Sequence, residues 1–364
     1  MKVESQQQLL NEWLETMLAR EQNVLKKPVI VYKVHPQSGI GNMIRGLLTA
    51  MLFSVALKKG VTVYSYDNYY CHFFFPPFPN MCNLKRYYQL KNTVCYYVPS
   101  PKNRPFFYIT PPATICPASS FVLDTYSDFS ASSLNPAFYA QPLQRAGLIA
   151  PGGAAKNGRA VGLEMRQTLL RLLFNPSQEL CEITNAYIRA LQQKTVIGVQ
   201  LRLGGQRANY VERQMMPTDT IDTVVQRVQY FLRKKKLGFG DVSVFLSSDS
   251  DYALNRLRKY FQQQKAFLVT TVTEFAVGHS AQAKSSNRGK ERWAGFTKRA
   301  IVDMMVLKES DFLIYTKKSS FGKFAHELQQ AYANPMDVSR FLKQRGLNCS
   351  VFHERAHIGE ASAL

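Results

Sequence analysis

The sequence predicts an α/β protein built from two facing Rossmann-like domains. In its second half, short apolar runs alternate with segments of helical spacing, which is typical of a parallel sheet covered by helices on both faces. Near the start, a strand, a glycine-containing loop, a helix and a second strand follow one another in the same way. Because the character of the pattern changes near residues 150–180, we divide the chain into an N-terminal helix or stem (1–28), an N-terminal domain (29–175) and a C-terminal domain (176–364).

Composition limits the classes of partner. The chain has 364 residues, enough for two domains, and 46 Lys and Arg against 25 Asp and Glu give a formal net charge of +21. Such a charge suits an anionic ligand, an anionic membrane surface or nucleic acid. The basic residues are spread along the chain, however, and Lys234–Lys236 is their only tight run. No stretch approaches the ~18–20 apolar residues of a membrane helix.

The compartment follows less directly from the sequence. The N-terminus lacks the apolar core of a signal peptide, so either the protein is cytoplasmic or this chain starts downstream of a removed or unrecorded anchor. Four cysteines, Cys71, Cys82, Cys95 and Cys116, crowd one aromatic and proline-rich stretch, as disulfide partners would. Their spacings match no zinc pattern, and they favour the second alternative.

The first half of the chain contains one clear strand–loop–helix–strand unit. Apolar residues over 5–20 lie on one helical stripe, and Pro28 ends that pattern. We then expect, in order, a strand at Val29–Val34, a glycine loop at Gln37–Asn42, a helix from Met43 to about Leu57, a strand at Val61–Tyr64, an irregular aromatic lobe over 68–117, a short strand at Phe121–Leu123 and helical segments from about 163 and from Pro176.

The second half is organised around the apolar run Val196–Leu201, predicted to be a central strand. Three of its residues are β-branched, as in buried parallel strands. After it we expect a helix at Thr218–Lys236, a strand at Val242–Leu246, a helix at Tyr252–Gln264 and a strand at Ala266–Val269. A polar loop at about Ala276–Arg292, either disordered or a lid, is expected next. The predicted elements after it are a helix at Phe296–Lys308, a strand at Phe312–Tyr315 and a helix opened by Ser319 and Ser320.

Polar side chains follow three of these strands. Arg202 ends the central strand and precedes Gly204 and Gly205, Asp249 and Asp251 end the next one, and Ser319 follows the last. The carboxyl ends of parallel strands form one rim, where ligands of open α/β sheets bind. An Arg and a helix start there would bind a nucleoside diphosphate. Taken singly, Arg202 could instead pair with a carboxylate, and Ser319 and Asp249 could simply cap helices.

Four motifs in the same order resemble the fucosyltransferases that use GDP-fucose, especially the plant xyloglucan type and more remotely the protein O-fucosyltransferases. They are Ser38-Gly-Ile-Gly-Asn42 with its long helix, Leu172-Leu-Phe-Asn-Pro-Ser177, Ile197-Gly-Val-Gln-Leu-Arg202, and the stretch from Ala300 through Asp303 to Ser319-Ser-Phe-Gly322. Together they span roughly 30–330, although residues 68–158 match no part of the family pattern.

The resemblance implies a metal-independent glycosyltransferase of the GT-B type, with GDP-fucose held mainly by the C-terminal domain. By position, Arg202 would grip the β-phosphate and act as the catalytic group that stabilises the departing GDP. The remaining donor contacts would come from the first glycine motif, the acids and the final motif, namely Gly41, Asn42, Asp249, Asp303, Ser319, Ser320 and Phe321. Asp303 matches a family acid whose role is either a donor contact or structural.

The chain departs from the family pattern at Gln200, where several relatives have His, and at Gly204 and Gly205, where they have an acid after the Arg. Inversion at the sugar carbon calls for a base unless the transition state is very loose, and His35 at the end of the first strand is the one base candidate by placement. No metal motif is expected, since Asp249-Ser-Asp251 fits a helix start better than a metal site.

Two other functions stay open at this stage. The same frame could use a different nucleotide sugar, and the net charge alone would suit a basic protein that binds polyanions or nucleic acid, although no recognised nucleic-acid motif is present. If an anchor precedes this chain, the family implies the Golgi lumen or the secretory pathway. The acceptor would be a glycan or glycoprotein, with the aromatic stretch Tyr69–Tyr108 as a possible platform for it or merely a disulfide-held core.

Overall fold

The computed structural model describes most of the second half of the chain and parts of the first. The described residues are 3–22, 29–33, 39–57, 60–64, 69–78, 81–82, 95–97, 121–124, 167–207, 210–212, 220–277, 287–317, 319–332 and 360–363. Contacts between residues divide the chain into two compact units. Unit 1 comprises 1–38, 42–177 and 334–350, and unit 2 comprises 39–41, 178–333 and 351–364.

Unit 1 contains a parallel sheet of four strands in the order β2-β1-β4-β3. Its elements in chain order are α1 (Val3–Gln22), β1 (Val29–Lys33), α2 (Ile40–Leu57), β2 (Gly60–Tyr64), α3 (Tyr69–Phe73), β3 (Cys95–Tyr97) and β4 (Phe121–Asp124). In the register, Ile30 is paired with Val61 on one side and with Phe121 on the other. Residues 167–173 form a further helical segment of this unit.

The apolar stripe predicted over residues 5–20 is a helix that packs on the rest of unit 1. Leu10, Leu14 and Met17 of α1 are fully buried, and the Ser54 hydroxyl on α2 lies 3.9 Å from the Met17 sulfur. On the sheet side, the Tyr32 hydroxyl donates to the Met43 carbonyl at 3.0 Å, which ties β1 to α2. Helix α1 is therefore part of the core of this unit.

Disulfides are present where the sequence predicts them and at one further position. Cys71 and Cys82 are joined, with 5.9 Å between their Cα atoms, which confirms a disulfide in the aromatic stretch. Cys181, which was not predicted to be a disulfide partner, is also disulfide-bonded. The side chains of Cys95 and Cys116 lie outside the described part of the chain.

Unit 2 contains a second parallel sheet, of five strands in the order β11-β10-β5-β8-β9. A separate antiparallel pair, β6 with β7, follows the central strand. The elements are α4 (Gln178–Leu191), β5 (Thr195–Leu201), β6 (Gly205–Arg207), β7 (Tyr210–Glu212), α5 (Thr220–Lys235), a 3₁₀ turn (Phe239–Asp241), β8 (Val242–Ser248), α6 (Asp251–Gln263), β9 (Leu268–Thr270), α7 (Asn287–Leu307), β10 (Phe312–Tyr315), α8 (Ser320–Tyr332) and β11 (Glu360–Ala363).

Helices cover both faces of this sheet because side chains of a strand alternate between its two faces. Ile197, Val199 and Leu201 of β5 share one buried cluster with apolar residues of α5 and α6. On the other face, Gly198 lies against Leu307 and Ser310 at the end of α7. Every residue of β8 is buried, as expected for a strand with parallel neighbours on both sides.

The strand order of unit 2 is that of a Rossmann sheet. Counted along the chain as strands one to five, its order from β9 to β11 is 3-2-1-4-5. In this arrangement the direction of winding reverses between strands one and four, and ligands bind at the carboxyl ends on either side of that switch point. Here those strands are β5 and β10, so the segments that follow Leu201 and Tyr315 occupy the ligand-binding position of the fold.

The structure corrects two predicted boundaries. Helix α2 begins at Ile40 instead of Met43, so Gly41 and Asn42 lie in its first turn and not in a loop before it. Helix α7 begins at Asn287, within the stretch predicted to be a polar loop or lid up to Arg292. Its first turns are rich in Arg, Lys and Glu, which favour helices without contributing the apolar periodicity that reveals one. Residues 278–286 lie outside the described part.

Four short strands were not predicted at all. The pair β6–β7 follows Arg202 directly, β3 lies in the stretch predicted to be irregular, and β11 has the sequence Glu-Ala-Ser-Ala. The last contains no β-branched or aromatic residue, and it pairs with β10 in parallel. Among the described helices, none has the length and apolar character needed to cross a membrane.

Candidate functional site

The end of the central strand is tied to the end of its neighbour β10. Arg202, half-buried, is the first residue after β5, and its backbone N–H donates to Thr316 Oγ1 at 3.0 Å. The N–H of Thr316 in turn lies 3.2 Å from the Gln200 carbonyl and 3.3 Å from Gln200 Oε1. Gln200 is thus a buried side chain that holds the two strand ends together.

On the other side of β5, Asp249 at the end of β8 binds the same loop. Its two carboxylate oxygens accept the backbone N–H groups of Leu203 at 3.0 Å and Gly204 at 3.1 Å. Gly204 has φ of 64°, a left-handed conformation that strains any residue with a Cβ. Helix α6 is capped by Ser250, whose Oγ accepts from the Ala253 N–H, so helix capping does not explain Asp249.

On the β10 side of the switch point, Ser319 and Ser320 form the start of α8. The Ser319 N–H donates to the Thr316 carbonyl at 2.9 Å, and its side chain is 1% exposed. Its buried Oγ has no hydrogen-bond partner among the described residues, so the capping bond that would explain this serine structurally is not formed there. Ser320 and Phe321, both half-buried, are in the first turn, where backbone N–H groups lack intrahelical acceptors.

The first glycine motif contributes Gly39–Gly41 to unit 2, and Gly41 lies beside α8. A Cβ added to Gly41 would lie 3.7 Å from both the Phe324 Cβ and the Ser320 carbonyl oxygen of α8. Gly41 therefore lies in contact with the helix that Ser320 begins. Asn42, the next residue, is half-buried and belongs to unit 1. His35, the candidate base, lies outside the described residues.

Asp303 is buried in α7, where one hydroxyl and one guanidinium accompany it. Ser247 Oγ donates to Asp303 Oδ2 at 2.7 Å, and Arg299 Nε lies 3.7 Å from the same oxygen. Burial raises the pKa of Asp303 to about 6, against the opposing effects of Arg299 and then Ser247. Oδ1 has no hydrogen-bond partner in the described part of the chain.

Arg299 connects this carboxylate to the segment after β9. Its guanidinium donates to the Phe275 carbonyl at 2.6 Å through Nη1 and to Thr271 Oγ1 at 2.9 Å through Nη2. The side chain is almost fully buried, so these contacts fix the path of residues 271–275. Asp303 therefore connects α7 to the end of β8, and Arg299 connects α7 to residues 271–275.

Three residues of this region were not predicted from the sequence as site residues, namely Thr316, Ser247 and Arg299. Thr316 had a usable signal, since it directly follows an apolar strand on the predicted rim. Ser247 and Arg299 had none, because a serine in a strand and an arginine in a helix are ordinary surface residues until the fold buries them. In the described part of the chain, no three His, Cys, Asp or Glu side chains come together as metal ligands would.

The fold of this chain is one found in solved glycosyltransferases that transfer fucose. A mutant of Arabidopsis thaliana FUT1 in complex with GDP is similar over 89% of this chain and 76% of that chain, with TM-score 0.55 and 15% sequence identity. Fucosyltransferase NodZ from Bradyrhizobium is similar over 82% of this chain and 93% of that chain, with TM-score 0.50 and 15% identity.

These structures belong to the enzyme group that the four motifs resemble, and at this identity they establish a common fold. The predicted α/β architecture with parallel sheets is confirmed. No family model matches the sequence, and no curated protein matches it either.

Proposed function

We propose that this chain is a glycosyltransferase whose unit 2 binds a nucleoside diphosphate sugar. The observation that carries the proposal is the position of Arg202 directly after β5 and of α8 after β10, on the two sides of the switch point of a Rossmann sheet. A helix of this length presents free N–H groups and the positive end of its dipole, which favour a phosphate. The buried Ser319 Oγ, without a partner in the described part, adds a hydrogen-bonding group there.

In the proposed reaction, negative charge develops on the leaving diphosphate, next to these groups. The bond between the sugar C1 and the β-phosphate oxygen breaks, and its electron pair leaves with the diphosphate. The acceptor hydroxyl oxygen forms the new bond to C1 from the opposite face, which inverts the configuration, and loses its proton to a base. Arg202 and the N–H groups of Ser320 and Phe321 would stabilise the charge that develops on the leaving oxygen. His35 remains the candidate for the base.

We further propose GDP-fucose as the donor and a glycan or glycoprotein as the acceptor. The proposal is supported by the four motifs and by the likeness in fold to FUT1 in complex with GDP and to the fucosyltransferase NodZ. Gly41 would contact the donor beside Ser320, and Asn42 is assigned a donor contact by the resemblance alone. Asp303 has a buried, structural environment instead, in keeping with the second role that the family pattern allows it.

Two features of the environment belong to the same proposal. In this proposal, Arg202 and the N-terminus of α8 stabilise the negative charge on the leaving diphosphate. We therefore propose that the reaction needs no metal. The disulfides at Cys71–Cys82 and Cys181 favour an oxidising compartment, which agrees with a place in the Golgi or elsewhere in the secretory pathway. Counting free thiols after purification without a reductant would test the compartment independently of the activity.

Thermal melting with GDP, GDP-fucose, UDP and ADP, first without magnesium and then with it, tests the donor. A ligand that binds only the folded state raises the melting temperature, so we expect a shift with GDP and GDP-fucose that magnesium does not change. Arg202→Ala should abolish most of that shift, whereas Lys235→Ala, at the opposite end of the strands, should keep it. A shift with UDP alone, or one that requires metal, would retain a transferase but reject GDP-fucose or metal independence.

The net charge of +21 supports one other candidate, a protein that binds polyanions. Binding to heparin or nucleic acid that weakens steeply with salt and is indifferent to GDP would favour that function. If no nucleotide shifts the melting temperature, the donor proposal fails.

A further inference from the structure

Three consecutive backbone N–H groups around Arg202 are each held by a side chain from a neighbouring strand end. That of Arg202 is bound by Thr316 on the β10 side, and those of Leu203 and Gly204 are bound by Asp249 on the β8 side, all within 3.1 Å. Such donors usually bond to backbone carbonyls within a ladder or to water. The loop that carries Arg202 is therefore fixed from both sides by the two strands that flank β5.

Both supports are themselves firmly placed. Thr316 is fully buried, and its N–H bonds to Gln200 one residue before the end of β5. Asp249 directly follows β8, whose seven residues are all buried. A carboxylate that accepts two adjacent backbone N–H groups makes charge-assisted bonds, which are stronger than neutral ones. Gly204 with its left-handed φ lets the chain turn so that both N–H groups reach one carboxylate.

We propose that Asp249 and Thr316 are positioning residues for Arg202, which they hold in place from opposite sides. Asp249 then acts through the loop instead of through the guanosine contact that the sequence resemblance implied for it. The inference rests on the proposed function, because positioning matters only if Arg202 binds the diphosphate. A group that is already in place when charge develops costs no rearrangement at that moment, which is the physical benefit of the arrangement.

Thr316→Val and Thr316→Ser make a matched pair of variants in the 364-residue chain. Valine keeps the shape but removes the acceptor, whereas serine keeps the hydroxyl. Hydrogen–deuterium exchange of peptides covering residues 199–207, without ligand, should be faster in Thr316→Val and unchanged in Thr316→Ser. Equal exchange in the wild type and Thr316→Val would overturn the inference whatever the ligand is. If Thr316→Val fails to fold, Asp249→Asn is used in the same experiment. It replaces one acceptor oxygen by a donor, so exchange over residues 199–207 should again be faster than in the wild type.

Calorimetric titration with GDP in a double-mutant cycle then tests the connection to Arg202. We expect Thr316→Val and Asp249→Asn each to weaken GDP binding about tenfold when Arg202 is present. In an Arg202→Ala background the same changes should weaken it less than about twofold, because the group that they position is gone. Equal losses in both backgrounds would overturn the inference and leave the proposed function intact.

The proposed function is tested separately, by GDP binding to the wild type and to Arg202→Ala, before the double-mutant cycle is complete. If the wild type does not bind GDP, or if Arg202→Ala binds it as the wild type does, the donor site at Arg202 is wrong and the positioning role falls with it. Thr316→Ser provides the rescue, since it should restore both the slow exchange and the wild-type GDP affinity.

Discussion

At the scale of single residues, Asp303 is a buried carboxyl group whose environment favours its neutral form. Burial raises its pKa to about 6 from an ordinary value of 3.8, although Arg299 and Ser247 favour its charged form. The folded protein therefore holds this proton more tightly than the unfolded chain. Ionising Asp303 costs stability as the pH rises through the interval between these two pKa values, and the full cost is present above the higher one.

We expect Asp303→Asn to remove this dependence. The free energy of unfolding of the variant minus that of the wild type should increase as the pH rises from 4 to 7, by on the order of 3 kcal/mol, because one pKa unit is worth about 1.4 kcal/mol. Urea unfolding across this pH range would measure it. The absolute difference at one pH is less informative, since the variant also leaves the buried Arg299 without its carboxylate. A difference that is flat or falls with pH would contradict the raised pKa.

Gly204 offers a second test at this scale. Alanine at φ of 64° costs about 1–2 kcal/mol, so Gly204→Ala should lower the free energy of unfolding by that amount. Gly295→Ala is the control: it lies inside α7, and an added Cβ would have no atom within 4 Å. Alanine there should stabilise the protein by up to about 1 kcal/mol. Similar effects of both changes would show that the turn at Gly204 is not as described.

At the residue scale, the sequence predicted where polar residues lie along the chain but not which residues they bind. Arg202 and Ser319 were predicted at the rim because an apolar run ends directly before Arg202 and another ends four residues before Ser319. The bonds of Asp249 to Leu203 and Gly204 join residues 45 and 46 positions apart, and no pattern in the sequence pairs them. The burial of Asp303 depends likewise on α7 lying against β8, which only the folded chain provides.

At the scale of elements, the contact between α8 and the sheet depends on a missing side chain. A Cβ on Gly322 would overlap Gln200 Oε1 and come within 2.7 Å of the Tyr315 Cβ. The helix can approach the strands β5 and β10 closely only because this position is glycine. The same close approach brings the start of α8 to the switch point, where the proposed anion site lies.

Gly322→Ala should therefore lower the free energy of unfolding by about 1–3 kcal/mol, the usual cost of overpacking. Gly240→Ala, where a Cβ would meet no atom within 4 Å, is the matched control and should change stability by less than about 0.5 kcal/mol. Chemical denaturation measures both. If the two variants were equally stable, the close packing of α8 would be refuted.

Elements were predicted well where they bury one apolar face. Five elements lie close to their predicted positions, namely the strands β5, β8 and β10 and the helices α5 and α6. Their apolar residues recur with the period of the face that packs in the sheet core, and this period is visible in the sequence. The start of α7 was missed because it lacks such periodicity, and β11 was missed because its residues have no strand preference. Both are placed by their context in the fold, through the rest of the helix and through the ladder to β10.

At the scale of the whole molecule, the excess of positive charge opposes folding. A net charge of +21 repels itself in the compact state, and salt screens this repulsion over a Debye length that falls from ~30 Å at 0.01 M to ~8 Å at 0.15 M. We expect the melting temperature to rise as NaCl is added across this range. KCl at equal ionic strength should act equally if screening is the cause. A melting temperature that falls with salt would mean that surface ion pairs outweigh the repulsion.

The place of β11 in its sheet has a consequence for biosynthesis. This strand follows every other described strand in the sequence, yet it covers one edge of β10, which stands next to the central strand β5. While the ribosome is still making the preceding residues, β10 lacks the strand that pairs with this edge, and an unpaired strand edge invites pairing with other nascent chains. Chaperones that shield such an edge until residues 360–363 emerge would therefore raise the yield of this protein more than they change its final stability.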